Sequence, residues 1–341
     1  MGIVKQTGVI AWLIGIAAVI GLVIWSGIDS VGHAVSSVGW GIVAVVMVRV
    51  VTVSVAGAGW WLLFPPGRPP QFQTCVLLRF IREAANVLLP MAQVGGDLIG
   101  ARLLTLRGVA GSLAAASVIV DVLLQAATQF LFACLGLAVL MALGASETVA
   151  HTAAVALAVA AFLLAGFYLA QRRAGQRILQ WAISRLNGDR KWRVLGTIDA
   201  VYQGLTAIYA SRARLLTSTI VHLAGWLFGV AEVLFVFAFM GHPIGLGEAL
   251  VIESLLHAIR GAAFAIPGAL GAQEGGLVLL CAIFGIPPEQ AIALSLVKRA
   301  ADLVLGVPGL LGWQMLEWDH LMPTWSKRQP QEAVEPGPQD R

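Results

Sequence analysis

Two stretches of this chain carry an arginine, a run of small and apolar residues, a proline, glycines and a carboxylate, in that order. The first is REAANVLLPMAQVGGD, from Arg82 to Asp97; the second is RGAAFAIPGALGAQE, from Arg260 to Glu274. Pro90 and Asp97 are seven residues apart, as are Pro267 and Glu274. A helix that starts after such a break presents unpaired backbone N–H groups and the positive end of its dipole, which suits an anion. Arg82, Arg260 and, further on, Arg299 add planar donors that fit phosphate in a bidentate fashion. Asp97 and Glu274 either pair with those arginines when no ligand is bound or meet a cationic headgroup. Gly95-Gly96 and Gly268/Gly271 could serve only to permit tight turns. Their placement before an acid in both copies argues for more than turn chemistry.

Other ionisable residues sit in apolar surroundings. Arg49 lies in one long apolar run, and Glu232 in another. Asp121 starts a polar stripe with Gln125, Thr128 and Gln129, spaced to share one helix face. Glu253, His257 and Arg260 share a face in the same way. Lys298 and Arg299 are both spaced to reach Asp302. One such pair is a plain buried ion pair; the base left over needs another anion. Arg49 can be assigned to Asp121 or to Glu232. His257 reads as a structural partner of Glu253, because the two-histidine H-E-x-x-H metal arrangement is missing. His222 reads as packing. Cys75, Cys134 and Cys281 are widely separated in apolar settings and read as small buried hydrophobes. No metal ligand set and no cofactor motif is expected.

The elements that position these residues follow from composition. The chain of 341 residues is 58% hydrophobic and 12% charged, about half the charge of a soluble globular protein (~25%). Its apolar runs exceed the ~20 residues that cross a bilayer. This is the pattern of an all-α polytopic membrane protein. A first, uncleaved span is expected over residues 8–28, longer than a signal-peptide core and flanked by Trp12 and Trp25. Further spans are expected over residues 38–64, 109–143, 149–170, 215–240 and 290–316. The two broken stretches, at about 74–107 and 246–286, have apolar arms too short to cross and read as re-entrant helical hairpins. The basic segment 171–193 assigns its side to the cytoplasm, and the stretch to residue 214 reads as an interfacial helix. Counting spans from there puts both termini in the cytoplasm and opens the two hairpins to opposite faces. The chain then divides into inverted repeats of three spans and one hairpin each, residues 1–148 and 149–318, with a disordered polar tail over 319–341.

The stretch IPGALGAQEGGLVLLCAIFGIPPEQAIALSLVKRAADLVLGVPGL, from Ile266, resembles the C-terminal part of the transmembrane flippase domain of lysylphosphatidylglycerol synthases. Related stand-alone membrane proteins include some found with hopanoid biosynthesis. The family pattern is Pro-Gly-Gly-x-Gly-x-x-Glu-Gly, then a span with a base and an acid. Here it reads Pro267, Gly268, Ala269, Leu270, Gly271, Ala272, Gln273, Glu274, Gly275, then Arg299 and Asp302. Ala269 stands where the family has glycine. Asn86, Pro90, Gly95, Gly96, Asp97 and Arg102 resemble the family's first motif, and the resemblance covers residues 8–318. No soluble aminoacyl-transferase domain follows Trp318, so the resemblance implies lipid translocation in a bacterial inner membrane rather than lipid aminoacylation.

Three functions compete. A translocator would carry the polar headgroup of an anionic phospholipid or a hopanoid between the hairpins, using Arg82, Asn86, Pro90, Asp97, Arg102, Asp121, Glu253, Arg260, Pro267, Gly268, Gly271, Glu274, Lys298, Arg299 and Asp302. An intramembrane enzyme is disfavoured. The PGALGAQ loop lacks the Ser and Arg of the P-G-x-S-R-S-G loop of polyprenyl-diphosphate phosphatases, and Gly95-Gly96-Asp97 does not match the Gly-x-Gly-Asp of aspartyl proteases. An accessory subunit would dock a lipid-biosynthetic enzyme or anionic lipid through its basic loop, and would not need the paired motifs. A homo-oligomer is compatible with all three; nucleic acid is not an expected partner.

Overall fold

The computed structural model describes residues 36, 38–67, 69–89, 95–144, 147–172, 176–177, 189–263 and 266–321. Among them every regular element is helical: α1 (Gly41–Trp61), α2 (Phe72–Leu88), α3 (Gly95–Leu106), α4 (Gly111–Ala142), α5 (Glu147–Ala170), α6 (Asp189–Tyr209), α7 (Arg212–Phe239), α8 (Leu246–Ala262), α9 (Ala272–Ile283) and α10 (Pro288–Leu321). A short 3-10 turn, Pro267–Ala269, joins the α8 side to α9. The expected first span, Pro90, most of the basic segment and the polar tail beyond Leu321 lie outside the described residues; residues 319–321 of the expected disordered tail continue α10.

The boundaries follow from local chemistry. Pro65 and Pro66 follow α1 and cannot continue it. Leu89, the residue before Pro90, is extended and ends α2, as the proline ring disfavours helix one residue earlier. Ser211 caps α7 through the Arg214 N–H. Pro288 opens α10, where its missing N–H costs no hydrogen bond. The turn before α9 is the special case. Gly268 and Gly271 have φ of 59° and 78°, and Ala269 has φ of 49°. The left-handed region suits glycine and strains a residue with a Cβ.

Helices α1, α4 and α7 are long and apolar enough to cross a membrane. α5 holds a shorter apolar run, Ala154–Ala170. α10 covers the expected sixth span, but Lys298, Arg299 and Asp302 interrupt its apolar character. α1 packs on α7, α2 on α10, and α4 on α8; α3 and α9 lie against α2 and α8 respectively. Two apolar clusters result. One joins the α1 start, the α4 end, α7, α8, α9 and the α10 start. The other joins the α1 end, α2, α3, the α4 start and α6. Arg49, between Val45 of one cluster and Trp60 of the other, lies at the seam. So does the Asp121 stripe, between Val120 and Phe132.

Candidate functional site

A cavity of ≈ 410 Å³ occupies that seam. Arg79, Glu83, Asn86 and Asp97 of α2 and α3 form part of its wall; Glu253, His257, Arg260 and Gly268 form another part. Arg49, Gln125, Gln129, His222, Trp226 and Glu232 complete the polar lining.

The first charged group centres on Asp121, which is fully buried. Arg82, also fully buried, donates from Nη1 to Asp121 at 2.8 Å and from Nη2 and Nε to Asp97 at 2.6 and 3.0 Å. Its guanidinium lies 4.5 Å from the Trp60 ring centroid, a favourable cation–π distance. Arg79 donates to Glu83 at 3.1 Å and to Gln125 at 2.6 Å. Gln125 donates to Asp121 at 2.7 Å, and His222 Nε2 stands 3.2 Å from Asp121 Oδ1. Close helix approach makes this geometry possible. A Cβ on Gly100 would sit 2.5 Å from the Arg82 Cδ, and Gly96 is near enough for its N–H to donate to the Asn86 Oδ1 at 2.8 Å.

The second group links four helices. Arg49 of α1 pairs with Glu232 of α7 at 2.5 Å and with Asp302 of α10. Lys298 of α10 reaches Glu232 at 3.2 Å and Glu253 of α8 at 2.8 Å. His257 Nε2 lies 3.1 Å from the same Glu253. Gln129 donates to the His257 carbonyl at 2.7 Å, and Trp226 meets the imidazole edge-on at 4.7 Å.

The third group fixes the turn before α9. The Glu274 carboxylate accepts from Gly271 N–H at 2.8 Å, from Ser295 at 2.9 Å and from Arg299 Nε at 2.7 Å. Arg299 Nη1 also donates to the Gly268 carbonyl at 3.3 Å. Such pairs are costly to dismantle one partner at a time, by about 3–5 kcal/mol when the remaining charge stays buried.

Several sequence assignments change. Neither Lys298 nor Arg299 pairs with Asp302: Lys298 turns to α7 and α8, Arg299 to Glu274, and Arg49 takes Asp302. Arg49 therefore takes Glu232 of the two acids offered. Arg102 is not in the cavity wall. It is exposed and holds Glu317 of α10 at 2.7 Å. Asn86, Asp97, Glu253, Arg260 and Gly268 line the cavity, whereas Arg82, Asp121, Glu274, Lys298, Arg299 and Asp302 support it from behind. Gly271 shapes the turn before α9, and Pro267 opens it. His222 is a cavity residue rather than packing. Arg79, Glu83 and Trp226 join the sequence-expected residues on the wall. Arg79, Glu83 and Asn86 share the spacing of Glu253, His257 and Arg260, and that signal was available. Among the described residues no group of three or more His, Cys, Asp or Glu could hold a metal ion.

The model of the lysylphosphatidylglycerol synthase TM region matches residues 12–309. A UPF0104 membrane protein of Methanothermobacter thermautotrophicus is 26% identical over 230 residues, covering 63% of this chain and 67% of that protein. No solved structure matches.

Proposed function

The chain belongs to the lysylphosphatidylglycerol synthase transmembrane-region family, and from that premise we propose that it is a lipid translocator. A polar or anionic headgroup passes through the cavity while the acyl or hopanoid tails stay in the bilayer. The observation that carries this reading is the ≈ 410 Å³ cavity, lined by charged and polar side chains, whose wall α2, α3, α8 and the turn before α9 build together with α1, α4 and α7. Ionisable groups deep in a membrane protein mark substrate paths, and broken helices at membrane depth belong beside such a cavity.

In this reading α2–α3 and α8–α9 are re-entrant hairpins of two inverted repeats. The packing supports it: exchanging α1 with α7, α2 with α8, α3 with α9 and α4 with α10 maps the contacts among these eight helices onto one another. Inverted repeats of this kind alternate access around a central site. The protein is placed in the bacterial inner membrane with both termini cytoplasmic, and it performs no covalent chemistry on the lipid. The test is transbilayer movement of headgroup-labelled lipid in proteoliposomes, run with an anionic phospholipid and with a polar hopanoid. Wild type accelerates movement of at least one of them. Equal rates with and without protein for every lipid reject the reading.

A further inference from the structure

Within this reading, we infer that Arg260 is the docking residue for the phosphate ester of the lipid headgroup, and that Arg82 and Arg299 are structural. The three arginines look alike in sequence. Their surroundings separate them. Arg82 is enclosed by Asp97 and Asp121. Arg299 is clamped to Glu274 and to the Gly268 carbonyl. The other two arginines of the cavity wall, Arg49 and Arg79, are committed to Glu232 and Asp302 and to Glu83 and Asp121 respectively. Arg260 lines the same cavity, is partly buried, and has no ion-pair or hydrogen-bond partner among the described residues.

The acids of the wall are already satisfied. Glu83 is held by Arg79, Asp97 by Arg82, Glu232 by Arg49 and Lys298, and Glu253 by Lys298. Among the described residues, an entering anion therefore meets compensated carboxylates and one uncompensated guanidinium. That group presents five N–H donors in a planar fork, the geometry that grips a phosphodiester. Position in the last turn of α8 gives Arg260 a helix-dipole role as well. A dipole partner is equally served by a solvent-facing side chain, so the dipole does not explain why the base faces a polar cavity. The adjoining Gly261 keeps the wall open: a Cβ there would sit 2.9 Å from the Gln129 amide nitrogen.

The test is binding in detergent, independent of transport. Short-chain phosphatidylglycerol, short-chain diacylglycerol and inorganic phosphate are titrated against wild type and Arg260→Gln. The substitution weakens phosphatidylglycerol about 10- to 100-fold, the weight of a charge-assisted contact, and leaves diacylglycerol unchanged. Undiminished phosphatidylglycerol affinity overturns the assignment. A second measurement needs no variant: phenylglyoxal modification of Arg260 in wild type, mapped by mass spectrometry. Phosphatidylglycerol protects Arg260 at concentrations where inorganic phosphate does not; no protection, or equal protection by inorganic phosphate, overturns the lipid assignment. Phosphodiester binding without lipid movement would sink the translocator reading and leave Arg260 in place. Lipid movement that survives Arg260→Gln unchanged would do the reverse.

Discussion

The helix pairs α2–α3 and α8–α9 carry nearly the same motif and use it differently. In the first, the acid of the second helix is held by the arginine of its own first helix, Arg82 to Asp97. In the second, Glu274 is held from α10 by Arg299, and the arginine of the first helix, Arg260, stays open to the cavity. The spacing explains the difference. Arg82 precedes Asp97 by fifteen residues, Arg260 precedes Glu274 by fourteen. One residue turns a helical side chain by about 100°. The position fifteen before Glu274 is Ile259, and its side chain packs where a Cβ on Gly276 would fall, at 2.9 Å. Arg82 packs against Gly100 of α3 in the same manner. A single-residue offset thus turns an internal latch in one pair into a base with no partner among the described residues in the other.

The largest expected effect tests that contrast directly. Arg82→Gln strands Asp97, takes the nearest base from Asp121 and lowers stability by about 3–5 kcal/mol, whereas Arg260→Gln changes stability by less than about 0.5 kcal/mol. Thermal unfolding of both variants in one detergent compares them; equal losses would erase the distinction. Next comes overpacking of the latch. Gly100→Val drives a side chain into Arg82 and costs about 1–3 kcal/mol, read from the same melts. The double variant Arg82→Gln/Asp121→Asn should lose less than the sum of its parts, by about 0.5–3 kcal/mol. Additive losses would mean that the two groups do not interact. The smallest effect lies in the other pair. Ala269→Gly relieves a positive φ of 49° and raises stability by up to about 1 kcal/mol; a fall would show that the buried methyl group matters more than the strain.

Much of the segmentation was legible in the sequence, because apolar length and proline placement decide where helices begin and end. α2 stops before Pro90 and α10 starts at Pro288 for that reason. The face shared by Glu253, His257 and Arg260 follows from helical spacing; that this face lines the cavity does not. Partner choice was not. Spacing matches Lys298 and Arg299 to Asp302 because neighbours along a helix are all that it can see. Such local pairs are worth only about 0.2–0.5 kcal/mol. Buried acids on other helices outbid them, and Arg49 claimed Asp302 from a position 253 residues away. Motif resemblance assigns Arg102 to the site, but its helix turns it outward to Glu317. His222 reads as packing because a lone histidine in an apolar span carries no signal until Asp121 is beside it.

The most direct test of the central claim, that headgroups pass between the two helix pairs, is to fill the cavity. Gln129, on its wall, is changed to cysteine after Cys75, Cys134 and Cys281 are replaced by alanine. Headgroup-labelled phosphatidylglycerol movement is then followed in proteoliposomes before and after reaction with a bulky charged thiol reagent. The account predicts movement that stops on modification and returns on reduction of the adduct. Movement that continues at the same rate with the cavity filled would contradict it.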